Sequence, residues 1–276
     1  MIPIYLQALS FKDVYGTSEE CIHEAAEMAS SLGLAGIDIE DRLLRSYDPN
    51  YLQELAHQVE GMGVRFGYCG LMVDFSAPIS SIENEIIRAK ALIDATQYLG
   101  VKSIRVPGNG VVAGQTLQST FIAVRDKFQL ICEYADQADV TVYLHNHNHG
   151  SIPSNGQQVL RMLDDLSDTT VAYVLDTGQF QGSPGASGEG LSDEKAAPEL
   201  YESIRMCAPR ATMLRAKFYF ARPADEQWLD YARIVGSLKN AEYSGSISII
   251  YERRGSVPST EALPRAARYL TQLFEK

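Results

Sequence analysis

The chain of 276 residues is 45% hydrophobic and 21% charged, ordinary globular proportions that exclude a disordered or low-complexity polypeptide. A formal net charge of -11, with Asp and Glu spread along the sequence, argues against nucleic-acid binding through a general electrostatic footprint, and no apolar run approaches the length of a membrane span. The opening residues MIPIYLQALSF lack the basic flank and small-residue cleavage site of a signal peptide, so the cytoplasm is the expected compartment. Cys21, Cys69, Cys132 and Cys207 form no C-x-x-C pair and read as buried thiols.

Taken in chain order, short β-rich runs alternate with amphipathic helical spacing. The run 2–9 precedes helical spacing over 18–32, 36–39 precedes 50–62, 64–70 precedes 81–99, and 103–106 precedes 117–138. The second half repeats the pattern, with 141–144 before 156–166, 171–175 before 193–207, 211–216 before 226–239, and 246–251 before 261–274. Strict alternation calls for a parallel sheet with right-handed crossovers, and eight such units in roughly 250 residues predict an α/β chain folded as a single-domain (β/α)8 TIM barrel. An open doubly wound sheet is the alternative. It is disfavoured because no G-x-G-x-x-G follows the first strand and because polar residues end many strands. The segment Gln181–Gly190, QGSPGASGEG, reads either as a lid or as a plain surface loop. Trp228 reads as helix core.

In such a barrel the chemistry lies at the C-terminal strand ends. There the fifth run continues into His145, His147 and His149, alternate positions that share one face of a strand. Asp38 and Glu40 end the second run, Arg105 lies in the fourth with Asn109 beyond it, and Asp176 and Gln179 follow the sixth. Arg215 and Lys217 belong to the seventh, Glu252 and Arg253 to the eighth. Charges of both signs converging on one concave space make His145 and His147 candidate acid/base groups, with Asp176 as orienter or second base. Arg215 and Lys217 are the candidate electrostatic stabilisers and Glu252 an auxiliary carboxylate. Asp38, Glu40, Arg105, Asn109, His149, Gln179 and Arg253 are candidate substrate contacts. Plainer readings stand beside these. Asp176 could be only the ion-pair partner of Arg215, Lys217 could snorkel from a loop, and Asp38 with Glu40 could cap the following helix. Tyr68, Tyr143, Tyr219 and Phe220 read as wall packing.

Four segments in order, LHNHNHG, VLDTGQF, LRAKFYF and WLDYARIVGSLKNAEYSGSISIIYERRG, give the chain a resemblance to the xylose-isomerase-like TIM barrels. That group contains sugar epimerases, inosose dehydratase, dehydroshikimate dehydratase and endonuclease IV. The resemblance implies a divalent metal held by Glu, Asp, His and Glu on the fifth to eighth strands. Those places hold His145, Asp176, Arg215 and Ile250 here, and neither a guanidinium nor an isoleucine can ligate. The expectation is therefore no metal at the family position and no other cofactor, with a rearranged site of His145, His147, Asp176 and Glu252 as the fallback. The expected function is an isomerase, epimerase or lyase that transfers a proton next to a carbonyl in a polar, anionic, sugar-like or keto-acid substrate. A metal-dependent sugar isomerase or epimerase and a non-catalytic metabolite-binding barrel are the alternatives. A small molecule is the expected partner, with neither nucleic acid nor membrane, and the resemblance implies a homodimer.

Overall fold

The computed structural model describes residues 2–75, 79–110, 114–147, 150–183, 196–222, 226 and 228–276. Eight parallel strands close into a barrel: β1 (Ile4–Gln7), β2 (Gly36–Glu40), β3 (Arg65–Gly70), β4 (Ser103–Pro107), β5 (Thr141–His145), β6 (Ala172–Asp176), β7 (Met213–Phe218) and β8 (Ser246–Tyr251). Each neighbours the next in sequence, and β8 returns to pair with β1, Ile4 lying opposite Ile247. The helices that follow them are α1 (Glu20–Ser31), α2 (Pro49–Gly61), α3 (Ile79–Thr96), α4 (Leu117–Gln137), α5 (Gly156–Asp165), α6 (Pro198–Cys207), α7 (Tyr231–Asn240) and α8 (Ser259–Glu275). The expected (β/α)8 architecture is what the chain adopts.

Local chemistry sets the helix starts. Asp48 accepts from the N–H groups of Asn50 and Tyr51 ahead of Pro49, Thr116 and Ser119 form a capping box, and Asp230 accepts from the Arg233 N–H. Strand parity divides the core. Outward residues such as Ile37, Ile39, Val142, Leu144, Ile247 and Ile249 join the apolar layer between barrel and helices. Inward, Tyr68, Val174 and Met213 form a small apolar plug with Tyr143 against it. Above that plug most inward positions are polar or charged, Ile250 being an exception, so the upper barrel is where burial and charge conflict.

Several boundaries differ from expectation. β1 stops at Gln7 because its side chain accepts from the Leu9 N–H at 3.0 Å and turns the chain into a 3-10 segment, Ala8–Phe11. The helix expected from residue 226 begins at Tyr231, since Glu226 is occupied with backbone N–H groups. Trp228 is accordingly buried in the preceding loop, edge-on to Phe220, and is not helix core. A two-residue antiparallel pairing, Asn109–Gly110 with Ser151–Ile152, adds a bridge over the mouth between β4 and β5. The four cysteines are free and buried. No helix among the described residues is long and apolar enough to cross a membrane.

Candidate active site

The strands GIDIE, SIRVP and MLRAKF place Asp38, Glu40, Arg105, Arg215 and Lys217 on inward positions between outward aliphatic residues. Most strands of a parallel barrel are apolar on both faces, so five buried charged side chains must answer one another. Four of them, all but Asp38, do so in one connected network with Asp176 and Glu252. Arg105 Nη2 donates to Glu40 Oε2 at 2.8 Å, and Arg215 reaches Glu40 Oε1 at 3.4 Å and Asp176 Oδ2 at 3.2 Å. Lys217 Nζ lies 3.9 Å from Asp176 Oδ2 and donates to Glu252 Oε1 at 3.0 Å. Gly70 makes room for this: a Cβ there would stand 2.6 Å from Arg105 Nη2 and 3.1 Å from Glu40 Cδ.

His145 sits inside the same network. Its Nδ1 is 2.8 Å from Arg105 Nη1, which can only donate, so Nδ1 is the acceptor and the ring proton is on Nε2, donating to Asp176 Oδ2 at 3.1 Å. Burial and the Arg105 charge push its pKa down to about 3 against the pull of Asp176. The ring is neutral with both nitrogens engaged. Burial opposes ionisation of Asp176, but Lys217, His145 and Arg215 overcome it and hold the carboxyl well below the usual range. Glu40 and Glu252 are likewise lowered, against burial, by Arg105 and by Lys217 respectively.

Asp38 lies apart from these pairs. A bulge in β3, where Ile37 pairs with Phe66 and Ile39 with Cys69, frees the Tyr68 N–H to donate to Asp38 Oδ1 at 2.8 Å. Its Oδ2 and the Ser248 hydroxyl are both buried without a well-formed hydrogen bond among the described residues. Burial pushes Asp38 up to about 7, against the pull of Ser248, the Tyr68 N–H, Arg215 and Arg105.

Other expected residues are more scattered. His147 follows the end of β5 and is therefore not on the strand face. Its N–H donates to Pro153 O at 2.9 Å, and its ring stands edge-on to His145 with centroids 5.8 Å apart. Gln179 is buried with Oε1 unpartnered among the described residues. Arg253 is not brought to the network. It lies in the turn after β8, where it reaches Asp13 at 3.1 Å and the carbonyls of Gly255 and Ser256. The backbone of Asn109 pairs with Ile152, and its side chain, His149 and residues 184–190 of the expected lid lie outside what is described. Lys217 is a fully buried strand residue that does not snorkel, and Asp38 and Glu40 face inward without capping a helix.

Sequence reasoning missed the residues that hold this site from behind. Asn146 donates through Nδ2 to Asp176 O at 3.0 Å, and its Oδ1 accepts from the Asp176 N–H at 3.0 Å and the Tyr173 hydroxyl at 2.8 Å. Its place between two histidines of opposite parity was the available signal. Thr177 Oγ1 accepts from the Lys217 N–H at 3.0 Å, tying β6 to β7. Glu226 accepts from the N–H groups of Tyr219, Phe220, Ala221 and Trp228 at 2.9–3.2 Å and shapes the loop beyond Lys217.

The residues do not fit the divalent cation that the resemblance implies. The guanidinium of Arg215 occupies one ligand position, and Ile250 pairs in register with Lys217 at another. The fallback set fails too, since the Lys217 ammonium lies between Asp176 and Glu252, and Asp176 Oδ1 accepts from the Gly178 N–H at 2.9 Å. Among the described residues no group of three or more His, Cys, Asp or Glu is arranged to hold a metal ion.

The same fold is found in a 3-keto-D-glucoside 4-epimerase from E. coli, with TM-score 0.72 and 16% identity over 98% of this chain and 100% of that one. It is also found in an L-ribulose 3-epimerase, with TM-score 0.78 and 14% identity over 100% and 95%. An AP endonuclease of family 2 from Brucella melitensis matches with TM-score 0.71 and 15% identity over 98% and 99%. No curated protein matches the sequence. The model of the xylose isomerase-like TIM barrels matches residues 26–273, from within α1 to within α8, and the chain belongs to that family.

Proposed function

We propose that this barrel is an isomerase, epimerase or lyase that moves a proton next to the carbonyl of a sugar-like or keto-acid substrate, with fixed side-chain cations where the family pattern has a metal. The observation that carries this reading is the Lys217–Glu252 pair. Lys217 has no exposed surface, while Glu252, 3.0 Å away, keeps 13% of its side chain open. Glu252 is thus the network carboxylate placed to take a proton from carbon, and Lys217 with Arg215 lies behind it to stabilise the oxyanion that develops. The proton passes to Glu252, the C–H electron pair forms a carbon–carbon double bond, and the carbonyl π pair moves onto oxygen to give an enolate. Return of a proton on the other face gives the epimer, and expulsion of a β-substituent gives the lyase product.

His147, beside the network, is the second acid/base group. His145 is a positioning residue, because both its nitrogens are spoken for and it fixes Arg105 against Asp176. Asp176 and Glu40 hold Arg215, and no step passes through a metal. The sugar epimerases among the structures of like fold support the substrate class. The test is deuterium exchange next to the carbonyl, in D2O, with chelator-treated protein and a panel of ketoses and keto acids. Lys217→Met and Glu252→Gln should each lower exchange about 100-fold with the fold intact by circular dichroism. Equal exchange in both variants would remove the reading. The complete internal pairing of the network favours one rival, a metabolite-binding barrel, and ligands that bind without exchange would select it.

A further inference from the structure

The network's charges cancel internally: Arg105, Arg215 and Lys217 stand against Glu40, Asp176 and Glu252. While Glu252 is ionised an anionic ligand would find no uncompensated positive charge there, and the Lys217 charge is released only as Glu252 takes up the proton. The unmatched cations are further out. A cleft of about 120 Å3 opens beside Glu252, between the turn after β1 and the turn after β8, and Ser10, Lys12, Asp13, Arg253 and Arg254 line it. Both of its carboxylates are answered within the protein. Asp13 accepts from Arg253 at 3.1 Å and Ser259 Oγ at 2.8 Å, and Glu252 accepts from Lys217. Among the described residues, Lys12 and Arg254 have no carboxylate partner, so their charges are what the cleft offers.

We propose that this cleft is an oxyanion subsite, in which Lys12 and Arg254 hold a phosphoryl or carboxylate group of the ligand. At about 30 Å3 per water in the liquid, the space admits a group of a few heavy atoms and not a whole sugar. Arg254 is anchored by its backbone N–H to Tyr219 O at 2.9 Å, which fixes where its side chain starts. Arg253, the residue expected to bind substrate, instead neutralises Asp13 and so keeps that carboxylate from repelling the anion. Because the cleft adjoins Glu252, an anion seated there would lay the rest of the molecule toward the Lys217–Glu252 pair. This placing rests on the proposed function, while the subsite itself does not.

The test is titration of inorganic phosphate, and separately of acetate, into the full chain at low ionic strength, followed by calorimetry. Saturable binding is expected to weaken about tenfold in Lys12→Ala and in Arg254→Ala and about 100-fold in the double variant, with Lys239→Ala, on α7, unchanged. Tighter phosphate binding identifies a phosphoryl ligand and tighter acetate binding a carboxylate. No saturation below about 10 mM with either ion, or equal binding by the double variant, overturns the subsite. Cation-dependent binding in a protein without deuterium exchange would retain the subsite and retire the proposed reaction. Exchange without such binding would do the reverse.

Discussion

Asp38→Asn removes one buried ionisable group while keeping an acceptor for the Tyr68 N–H. In the folded barrel Asp38 stays protonated up to about 7, whereas the unfolded chain ionises it near 3.8. Between those values the native state binds more protons, so Asp38 makes stability fall as pH rises through the window. At about 1.4 kcal/mol per pH unit the whole effect is about 4 kcal/mol. His145 acts with the opposite sign. Its folded value of about 3 lies below the ordinary 6.5, so the unfolded chain binds more protons between them and stability is lost as pH falls. From about pH 4 to 6.5 the two slopes oppose each other in the wild type. Without Asp38 the His145 slope is no longer opposed, and it alone should raise stability by roughly 3 kcal/mol over that range. Urea unfolding followed by the fluorescence of Trp228, the single tryptophan, measures both proteins. Asp38→Asn should match the wild type near pH 4 and exceed it by about 4 kcal/mol at pH 8. A difference that is constant with pH, or that shrinks as pH rises, would refute a buried, protonated Asp38.

Gly70→Ala pushes a Cβ against the Arg105–Glu40 pair and should cost about 2 kcal/mol in thermal or urea unfolding, whereas Gly61→Ala, in open space, should not. Glu226→Gln leaves one carbonyl oxygen for four backbone N–H donors and should cost about 2 kcal/mol, read as a lowered melting temperature. Burial pushes the thiols of Cys132 and Cys207 up to about 12, so neither should react with a thiol reagent at pH 8 until the chain unfolds. Labelling of either in the native protein would contradict their placement.

Barrel and helix order could be read from the sequence because each strand carries its parity in aliphatic residues. GIDIE and MLRAKF show both the outward face and the inward charges without tertiary information. The strand-end rule thus located Glu40, Arg105, His145, Asp176, Arg215, Lys217 and Glu252 together. It could not show how they pair, because pairing depends on reach across the barrel, as when Arg215 spans to Glu40 on β2. Nor could it show that Arg105 fixes the tautomer of His145 and that Asp176 engages the other ring nitrogen. Arg253 looked like a site residue from its neighbour Glu252, yet in the turn after β8 it is taken up by Asp13 and the carbonyls of Gly255 and Ser256. Glu226 and Trp228 were hidden in a helical periodicity that backbone N–H demand overrides in the loop after β7.

The measurement that bears most directly on side-chain cations standing in for a metal is deuterium exchange by chelator-treated protein as Mn2+, Mg2+ or Zn2+ is titrated back. Exchange that is present without added metal, unchanged by its return and lost in Lys217→Met is the expected result. Exchange that appears only as one equivalent of metal binds would contradict it.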